Sequence, residues 1–265
     1  MSKPSSRSAR PSPAAGALSL GPKLIFFGDP HGEFEPVISA VLRYRPEAVI
    51  LLGDIQAREP LHVELARIVD RTEVWFIHGN HDTDAESFYD NLWSSNLAHR
   101  NLDGRVATVA GYEVAGLGGI FRESIWDPSL PMSEAKFLSA DKLRRHMKPA
   151  ERWRDGISLR HRSSIFPDKF MRLANQRADI LVTHEGLGGT MHGQPILNTL
   201  AVALGVSPVV HGHLHKDIDY RREGRIFADS PFETYGVNQG SHMRWPPPAF
   251  ASVDGLDDQQ VQERP

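Results

Sequence analysis

The sequence predicts an α/β fold built on parallel strands. Three short apolar runs, KLIFF (23–27), AVILL (48–52) and EVWFI (73–77), are each closely followed by a glycine and then by a segment with apolar residues at helical spacing. Strands that are apolar on both faces are typical of parallel sheets covered by helices on both sides. The N-terminal third of the chain therefore predicts three strand–loop–helix units.

The middle of the chain departs from this pattern. Residues 105–120 predict a β-hairpin that turns near Ala110 and Gly111. Residues 121–177 are rich in Arg, Lys and His and predict an inserted helical segment, with helices near 133–147 and 164–177.

Beyond the insertion the buried-strand pattern resumes. The segment 178–186 (ADILVTHEG) predicts a strand, 194–204 (QPILNTLAVAL) a helix and 207–215 (SPVVHGHLH) a further strand. Residues 216–229 alternate around a REG turn, which predicts a terminal hairpin. The α/β pattern thus continues to the C-terminal part of the chain.

The chain of 265 residues is predicted to form one catalytic domain, residues 22–253. A Ser/Pro/Ala-rich tail (1–21) precedes it and a polar tail (254–265) follows it. No run approaches the roughly 18 apolar residues of a membrane span, and the N-terminus lacks a secretory apolar core. We therefore expect a cytoplasmic protein without membrane contact, with an organelle transit peptide as the alternative interpretation of residues 1–20.

Charge and cysteine content exclude several classes of function. The formal net charge is −3, which gives no electrostatic footprint for a nucleic-acid backbone. The chain has no cysteine, so thiolate metal sites, disulfides and a cysteine nucleophile are excluded. Any metal ion must be held by nitrogen and oxygen ligands.

Polar clusters directly follow five of the predicted strands. The carboxyl ends of strands in an open α/β sheet form the usual ligand-binding edge, so we expect these clusters to meet there. Their carboxylates, imidazoles and amide exceed what one metal ion needs, which favours two divalent ions. The clusters are GDPHG (28–32), GD (53–54), GNHD (79–82), THEG (183–186) and HGHLH (211–215).

In this order, D-x-H, G-D, G-N-H-D, a lone His on a later strand and G-H-x-H resemble the calcineurin-like metallophosphoesterase superfamily. The resemblance spans about residues 23–230. It implies an αββα sandwich, in which two mixed β-sheets are flanked by helices. It also implies hydrolysis of phosphate esters by a bridging hydroxide at a dinuclear centre. Manganese is the first choice for the ions, and Fe, Zn, Ni or Co are alternatives.

The resemblance also implies a role for each matching residue. Asp54 would bridge the two ions, and His81 would protonate the leaving oxygen. Asp82 would hold His81, unless it is only a loop or helix-cap residue, and His211 would have a supporting or structural role. The remaining ligands would be Asp29, His31 and His215 for one ion, and Asn80, His184 and His213 for the other.

The substrate is less well defined. Protein Ser/Thr phosphatases and symmetrical dinucleoside-tetraphosphate hydrolases of the superfamily carry GDxVDRG and usually GNHE, whereas this chain has GDIQAREP and GNHD. Ala57 and Glu59 depart from that motif, but Arg58 matches its arginine and is either a substrate-phosphate ligand or a solvent-facing side chain. We expect a phosphodiesterase or phosphatase that acts on a small or nucleotide ester. The alternative is a protein Ser/Thr phosphatase or a dinucleoside-polyphosphate hydrolase.

The basic insertion offers two further candidates for substrate contact. Arg122 and Trp126 follow the turn GLGG and are the insertion residues with the best claim to substrate contact, whereas most of the segment fits a solvated face.

Two rival functions remain. A DNA-end nuclease would need a basic groove, which is not evident, and nucleic acid is an unfavoured partner. A non-catalytic metal-binding scaffold would have lost ligands, and none is missing. The oligomeric state is undetermined.

Overall fold

The computed structural model describes residues 22–189, 192–220 and 230–247. Both predicted tails, at 1–21 and 254–265, and most of the predicted hairpin at 216–229 lie outside the described residues. The described strands are β1 (Leu24–Phe27), β2 (Ala48–Leu52), β3 (Glu73–Ile77), β4 (Arg105–Val109), β5 (Tyr112–Leu117), β6 (Ile180–Thr183), β7 (Val209–His211), β8 (Ile218–Asp219), β9 (Thr234–Gly236) and β10 (His242–Trp245). The α-helices are α1 (Glu35–Tyr44), α2 (Leu61–Glu64), α3 (Glu86–Trp93), α4 (Ala140–His146), α5 (Pro167–Ala174) and α6 (Pro195–Leu204).

The strands form two mixed sheets. The four-stranded sheet has the order β10-β1-β2-β3, with β1, β2 and β3 parallel and β10 antiparallel to β1. The six-stranded sheet has the order β4-β5-β6-β7-β9-β8, with a parallel centre and an antiparallel strand at each edge. The predicted parallel pairing of the first three strands is therefore confirmed, and so is the α/β class.

Three apolar layers hold the sheets and helices together. Side chains such as Phe26, Ile50 and Val182 fill the space between the two sheets. Alternate residues of the four-stranded sheet face α1, α2 and α3, and those of the six-stranded sheet face α5, α6 and the insertion. Because successive strand residues point to opposite faces, strands buried on both sides require apolar residues throughout. The αββα sandwich with two mixed sheets is confirmed.

The hairpin between β4 and β5 turns where the sequence predicts. Val109 pairs with Tyr112 across a two-residue loop of Ala110 and Gly111. Both loop residues have positive φ, 48° and 84°, which is the backbone of the two-residue turns that match strand twist.

The insertion is less helical than predicted. α4 begins at Ala140, where the Ser139 hydroxyl accepts a hydrogen bond from the Lys142 N–H, and it ends ahead of Pro149. Pro149 disfavours helical geometry at the residue before it, so α4 does not continue, and the chain up to α5 contains short 3₁₀ turns at Pro149–Glu151 and Leu159–Ser163. Trp126 is 1% exposed in the core beside the six-stranded sheet, so its side chain is not open to a substrate as the sequence suggested. No helix within the described ranges is long and apolar enough to cross a membrane.

Candidate metal centre

The polar clusters meet at one edge of the sandwich, as the sequence predicts. β1, β2 and β3 end directly before the loops that carry Asp29, Asp54 and Asn80. β6 ends at the residue before His184, and β7 ends two residues before His213. Side chains that are far apart in the sequence therefore lie in contact.

Several of these loops hold non-glycine residues in the left-handed backbone region. The φ angles are 36° for Asp29, 47° for His31, 44° for Asp54, 64° for His213 and 49° for His215. Such conformations cost about 1–3 kcal/mol each and persist where the surrounding structure enforces them, which is common at functional sites. Five of the seven predicted ligands are strained in this way.

The first donor group consists of His31, Asp54 and His215. One ligand atom from each lies within 4.8 Å of the others. The Nε2 atoms of His31 and His215 are 3.4 Å apart, and His31 Nε2 is 4.0 Å from Asp54 Oδ2. Asp29 joins this group, since its Oδ2 lies 3.6 Å from His215 Nε2.

The second donor group consists of Asp54, His184 and His213, again with ligand atoms within 4.8 Å of one another. His184 Nε2 lies 3.4 Å from Asp54 Oδ2 and 3.2 Å from Asn80 Oδ1. Asp54 is common to both groups. The structure thus brings all seven predicted ligands together: five form the two donor groups, Asn80 lies beside His184, and Asp29 lies 3.6 Å from both His215 and His184.

Hydrogen bonds orient two of the imidazoles. His184 Nδ1 donates to the Leu52 carbonyl at 2.8 Å, and His31 Nδ1 donates to Gln56 Oε1 at 2.6 Å. A histidine that donates through one ring nitrogen presents the lone pair of the other, which is the usual support of a metal-bound histidine. In both cases the Nε2 atom faces the carboxylates.

Asp29 provides a test of whether these residues suit a metal ion. Its Oδ2 accepts a hydrogen bond from the His213 N–H at 2.7 Å, whereas its buried Oδ1 has no hydrogen-bond partner among the described residues. An ideal Cβ at Gly212 would lie 2.5 Å from this oxygen, so the close approach requires glycine. A buried carboxylate oxygen without a protein donor, within a set of N and O ligands, fits a divalent cation.

The charges of the cluster also favour a bound cation. Burial raises the pKa of Asp29 to about 7. Burial opposes the charged forms of Asp54 and His184 as well, but their mutual attraction outweighs it, lowering the pKa of Asp54 and raising that of His184 to about 10. Burial and the nearby His184 lower the pKa of His213 to about 4, so its lone pair is available at neutral pH. At neutral pH the cluster therefore holds a proton on His184, which a bound divalent cation would displace, while His213 already offers a free lone pair.

His81 lies beside the two donor groups, and its contact differs from the prediction. The expected bond from His81 to Asp82 is absent: His81 Nδ1 donates to Asp84 Oδ2 at 2.6 Å. Asp82 is fully buried and accepts the backbone N–H groups of Gln56 at 2.7 Å and Gly79 at 2.8 Å. Asp82 therefore braces the loop, which was the alternative interpretation of this residue.

Arg58 and Arg122 have different surroundings. The Arg58 side chain is 71% exposed and lies 3.8 Å from Glu33, so nothing in the described part of the chain fixes it over the donor groups. Arg122 is half-buried and donates to the hydroxyls of Ser163 and Ser164, both at 3.1 Å. Arg122 is thus a fixed positive charge and Arg58 a solvated one.

His211 is a structural histidine. It is buried at the end of β7, where Nδ1 donates to the Gly212 carbonyl at 2.8 Å and Nε2 lies 2.8 Å from the Tyr220 hydroxyl. Because both ring nitrogens are engaged, neither is directed at the donor groups. Of the three histidines in HGHLH, His213 and His215 lie in the donor groups and His211 does not.

A family model for calcineurin-like phosphoesterases matches residues 22–217. The chain belongs to the calcineurin-like phosphoesterases. An uncharacterized protein of Haemophilus influenzae is 38% identical over 198 residues, which are 75% of this chain and 85% of that protein. A crystal structure described as a dimetal phosphatase from Danio rerio has a TM-score of 0.46 and 12% identity, and covers 84% of this chain and 89% of that one.

Membership of the calcineurin-like phosphoesterases makes the chain a metal-dependent hydrolase of phosphoric esters that uses divalent ions.

Two residues that support the imidazoles, Asp84 and Gln56, were not predicted from the sequence. Asp84 was detectable as a carboxylate three residues after His81, a spacing that brings side chains together in a tight helical turn. Gln56 left no signal, because its contact with His31 depends on the fold of two separate loops.

Proposed function

We propose that the chain is a dinuclear phosphodiesterase or phosphatase that acts on small or nucleotide phosphate esters. The observation that carries the proposal is that Asp54 belongs to both donor groups, since a shared carboxylate is what a pair of neighbouring ions requires. Manganese is the first choice that the family resemblance implies, and the two carboxylates and the amide suit it. Iron, zinc, nickel or cobalt would suit the same donors.

The assignment of ligands follows the two groups. Asp29, His31, His215 and Asp54 would hold one ion, and Asn80, His184, His213 and Asp54 the other. When bound, a pair of divalent ions supplies charge for the phosphoryl oxygens and acidifies a shared water molecule. The protein fixes the donor atoms in advance through the hydrogen bonds of His31 and His184 and through the strained loops.

His81 would deliver a proton to the leaving oxygen. Its side chain is 46% exposed beside the donor groups, and its backbone N–H donates to Asp54 Oδ1 at 2.8 Å, which ties its position to that of the shared ligand. Burial lowers the pKa of His81, but the hydrogen bond from Nδ1 to Asp84 and the charge of Asp54 outweigh it and raise the pKa. A protonated imidazole near neutral pH is suited to general acid catalysis.

Local features support a small substrate over a phosphoprotein. Ala57 is fully buried where the protein-phosphatase motif has an aspartate, so that carboxylate has no counterpart at this position. Arg58 is exposed and lies near Glu33, which offsets its charge. Arg122 remains as a fixed guanidinium that could pair with a substrate phosphate.

A metal-dependent substrate screen tests the proposal. Purified chain is stripped with chelator, reloaded with Mn²⁺ and assayed against phosphomonoesters, phosphodiesters, cyclic nucleotides, dinucleoside polyphosphates and phosphopeptides. We expect Mn²⁺-dependent turnover with the highest kcat/KM among the first three, and none in His213→Ala. A preference for phosphopeptides or dinucleoside polyphosphates would contradict the substrate class, and no turnover of any ester would contradict the activity.

A further inference from the structure

A cavity lies under the insertion, apart from the two donor groups. Its volume is about 400 Å³, within the range of small-molecule sites. Its walls come from the end of β3, from α3 and α4, and from the segment between α4 and α5. None of the seven predicted metal ligands is among the described residues that line it.

One wall includes a buried histidine whose ring makes no hydrogen bond within the described residues. His78 directly follows β3 and is 1% exposed, yet neither of its ring nitrogens has a hydrogen-bond partner among the described residues. Its nearest carboxylate oxygen, Oδ2 of Asp103, is 3.9 Å from Nδ1, which is beyond hydrogen-bonding distance. Both nitrogens are buried beside the backbone of Gly118 and Gly119, so His78 gives the cavity the carbon surface of its ring and no open donor or acceptor.

The cavity also carries an unbalanced positive charge. Lys169 is paired with Asp103 at 2.5 Å, and Arg144 with Asp141 at 3.1 Å. Arg162 has no ion-pair partner within the described residues, and its buried Nε has no acceptor there. A guanidinium without a carboxylate favours an anionic ligand.

Aromatic side chains form another part of the wall. The rings of Tyr89 and Trp93 stack with centroids 4.1 Å apart and an interplanar angle of 4°. The Arg162 guanidinium lies 5.9 Å from the Tyr89 ring centre, so the positive charge and the aromatic surface are adjacent. The two rings cover each other's facing sides, so they offer the cavity mainly their edges, and edge-to-face packing suits a ligand with a planar ring.

From these features we propose that the cavity is a binding site for a small anion with a planar ring, such as a ring carboxylate or ring phosphate. The anionic group would pair with the terminal nitrogens of Arg162, and the ring would pack against the edges of Tyr89 and Trp93, beside the ring of His78. The pairing would balance a guanidinium that has no carboxylate partner within the described residues.

Hydrogen bonds connect this cavity to the metal centre. Ser164, which lines the cavity, accepts from Arg122, and the adjacent Ser163 lies 2.7 Å from the Thr83 hydroxyl. Thr83 ends the short helical turn that begins at His81. Because the cavity and the metal centre are linked, the ligand in the cavity is either a separate small molecule or the organic part of a substrate ester bound at the metal centre. The experiment below distinguishes the two.

Binding is measured first, on the full Mn²⁺-loaded chain. The probes are orotate and benzoate, which combine a ring with a carboxylate and cannot be hydrolysed as esters; uracil and acetate supply the ring and the anion separately. Calorimetry should give saturable binding of at least one probe with a dissociation constant of about 1 mM or tighter, and neither uracil nor acetate should match it. Failure of both orotate and benzoate to bind would overturn the proposal.

Variants locate the bound probe. Arg162→Met and Tyr89→Leu should each weaken binding about tenfold or more, whereas Arg172→Met, which changes an exposed arginine of α5, should not. His213→Ala should leave the affinity unchanged. If His213→Ala abolished binding while both cavity variants retained it, the probe would occupy the metal centre and the proposal would be wrong. Circular dichroism confirms that each variant is folded.

Kinetics identify the source of the anion. Turnover of nitrophenyl phosphate is measured with and without the bound probe. A rise in KM that Arg162→Met abolishes indicates that the cavity holds the organic part of the substrate. Unchanged KM with saturable binding indicates a separate ligand. Both results support the site, whereas inhibition that persists in Arg162→Met would place the probe elsewhere and overturn it.

Discussion

His81 Nδ1 lies 2.6 Å from Asp84 Oδ2, across the single helical turn His81–Thr83. Residues three apart nearly eclipse each other in a 3₁₀ turn, so the sequence HDTD places this carboxylate beside the imidazole. The bond fixes the proton on Nδ1 and holds the ring in place. Asp84 is therefore the carboxylate that supports the proposed acid.

Replacing Asp84 by Asn should slow hydrolysis without removing metal. The amide cannot stabilise a protonated His81, so we expect kcat on esters with poor leaving groups to fall by roughly 10-fold or more, with the full 10²–10⁴-fold contribution of acid–base catalysis as the upper limit. Steady-state kinetics and elemental analysis measure the two effects. An unchanged kcat with chemistry rate-limiting would show that the contact has no catalytic role.

Replacing Asp82 by Asn should act mainly on stability. The buried carboxylate accepts a backbone N–H group through each of its oxygens. In Asn the amide NH₂ would replace one of these oxygens and would point at a backbone N–H, so that hydrogen bond would be lost. A buried polar group left without its partner costs about 1–3 kcal/mol in the free energy of unfolding. Denaturant unfolding measures the change. A drop in rate as large as that of Asp84→Asn at unchanged stability would contradict these separate roles.

Replacing His81 by Ala should reveal its role through the leaving group. The seven predicted ligands are untouched, so both ions should stay bound. An alkyl or ribose leaving group needs a proton and should be slowed by about 10²–10⁴-fold, whereas nitrophenolate is stable as an anion and should be slowed far less. Equal slowing of both substrates, or loss of metal, would contradict the acid role.

Chelation should lower the thermal midpoint while unfolding stays cooperative. The ligands sit in loops at the edge of two sheets whose apolar layers do not include them, so the core does not depend on metal as that of a zinc finger does. Removing a ligand that binds only the native state still lowers its stability. Calorimetry follows the transition, and a chain unfolded by circular dichroism after chelation would contradict the prediction.

The sequence predicted the parts of the molecule that depend on regular periodicity. Parallel strands bring their carboxyl ends to one edge, so residues as distant as Asp29 and His215 could be expected to meet. The contact of His81 with Asp84 could be expected from the three-residue spacing in HDTD only once the helical turn is known, and a single short turn leaves no periodic signal. The lack of hydrogen-bond partners at the His78 ring nitrogens, among the described residues, left no signal either, since it depends on how the insertion packs over β3.

The central claim is that Asp54 joins two metal ions, and metal titration tests it most directly. Chelator-stripped chain is titrated with Mn²⁺ by calorimetry, and the metal content is counted by elemental analysis. The account predicts two ions per wild-type chain, and loss of at least one, with activity on every ester, in Asp54→Ala. One ion per wild-type chain under metal excess, or two ions retained in Asp54→Ala, would contradict it.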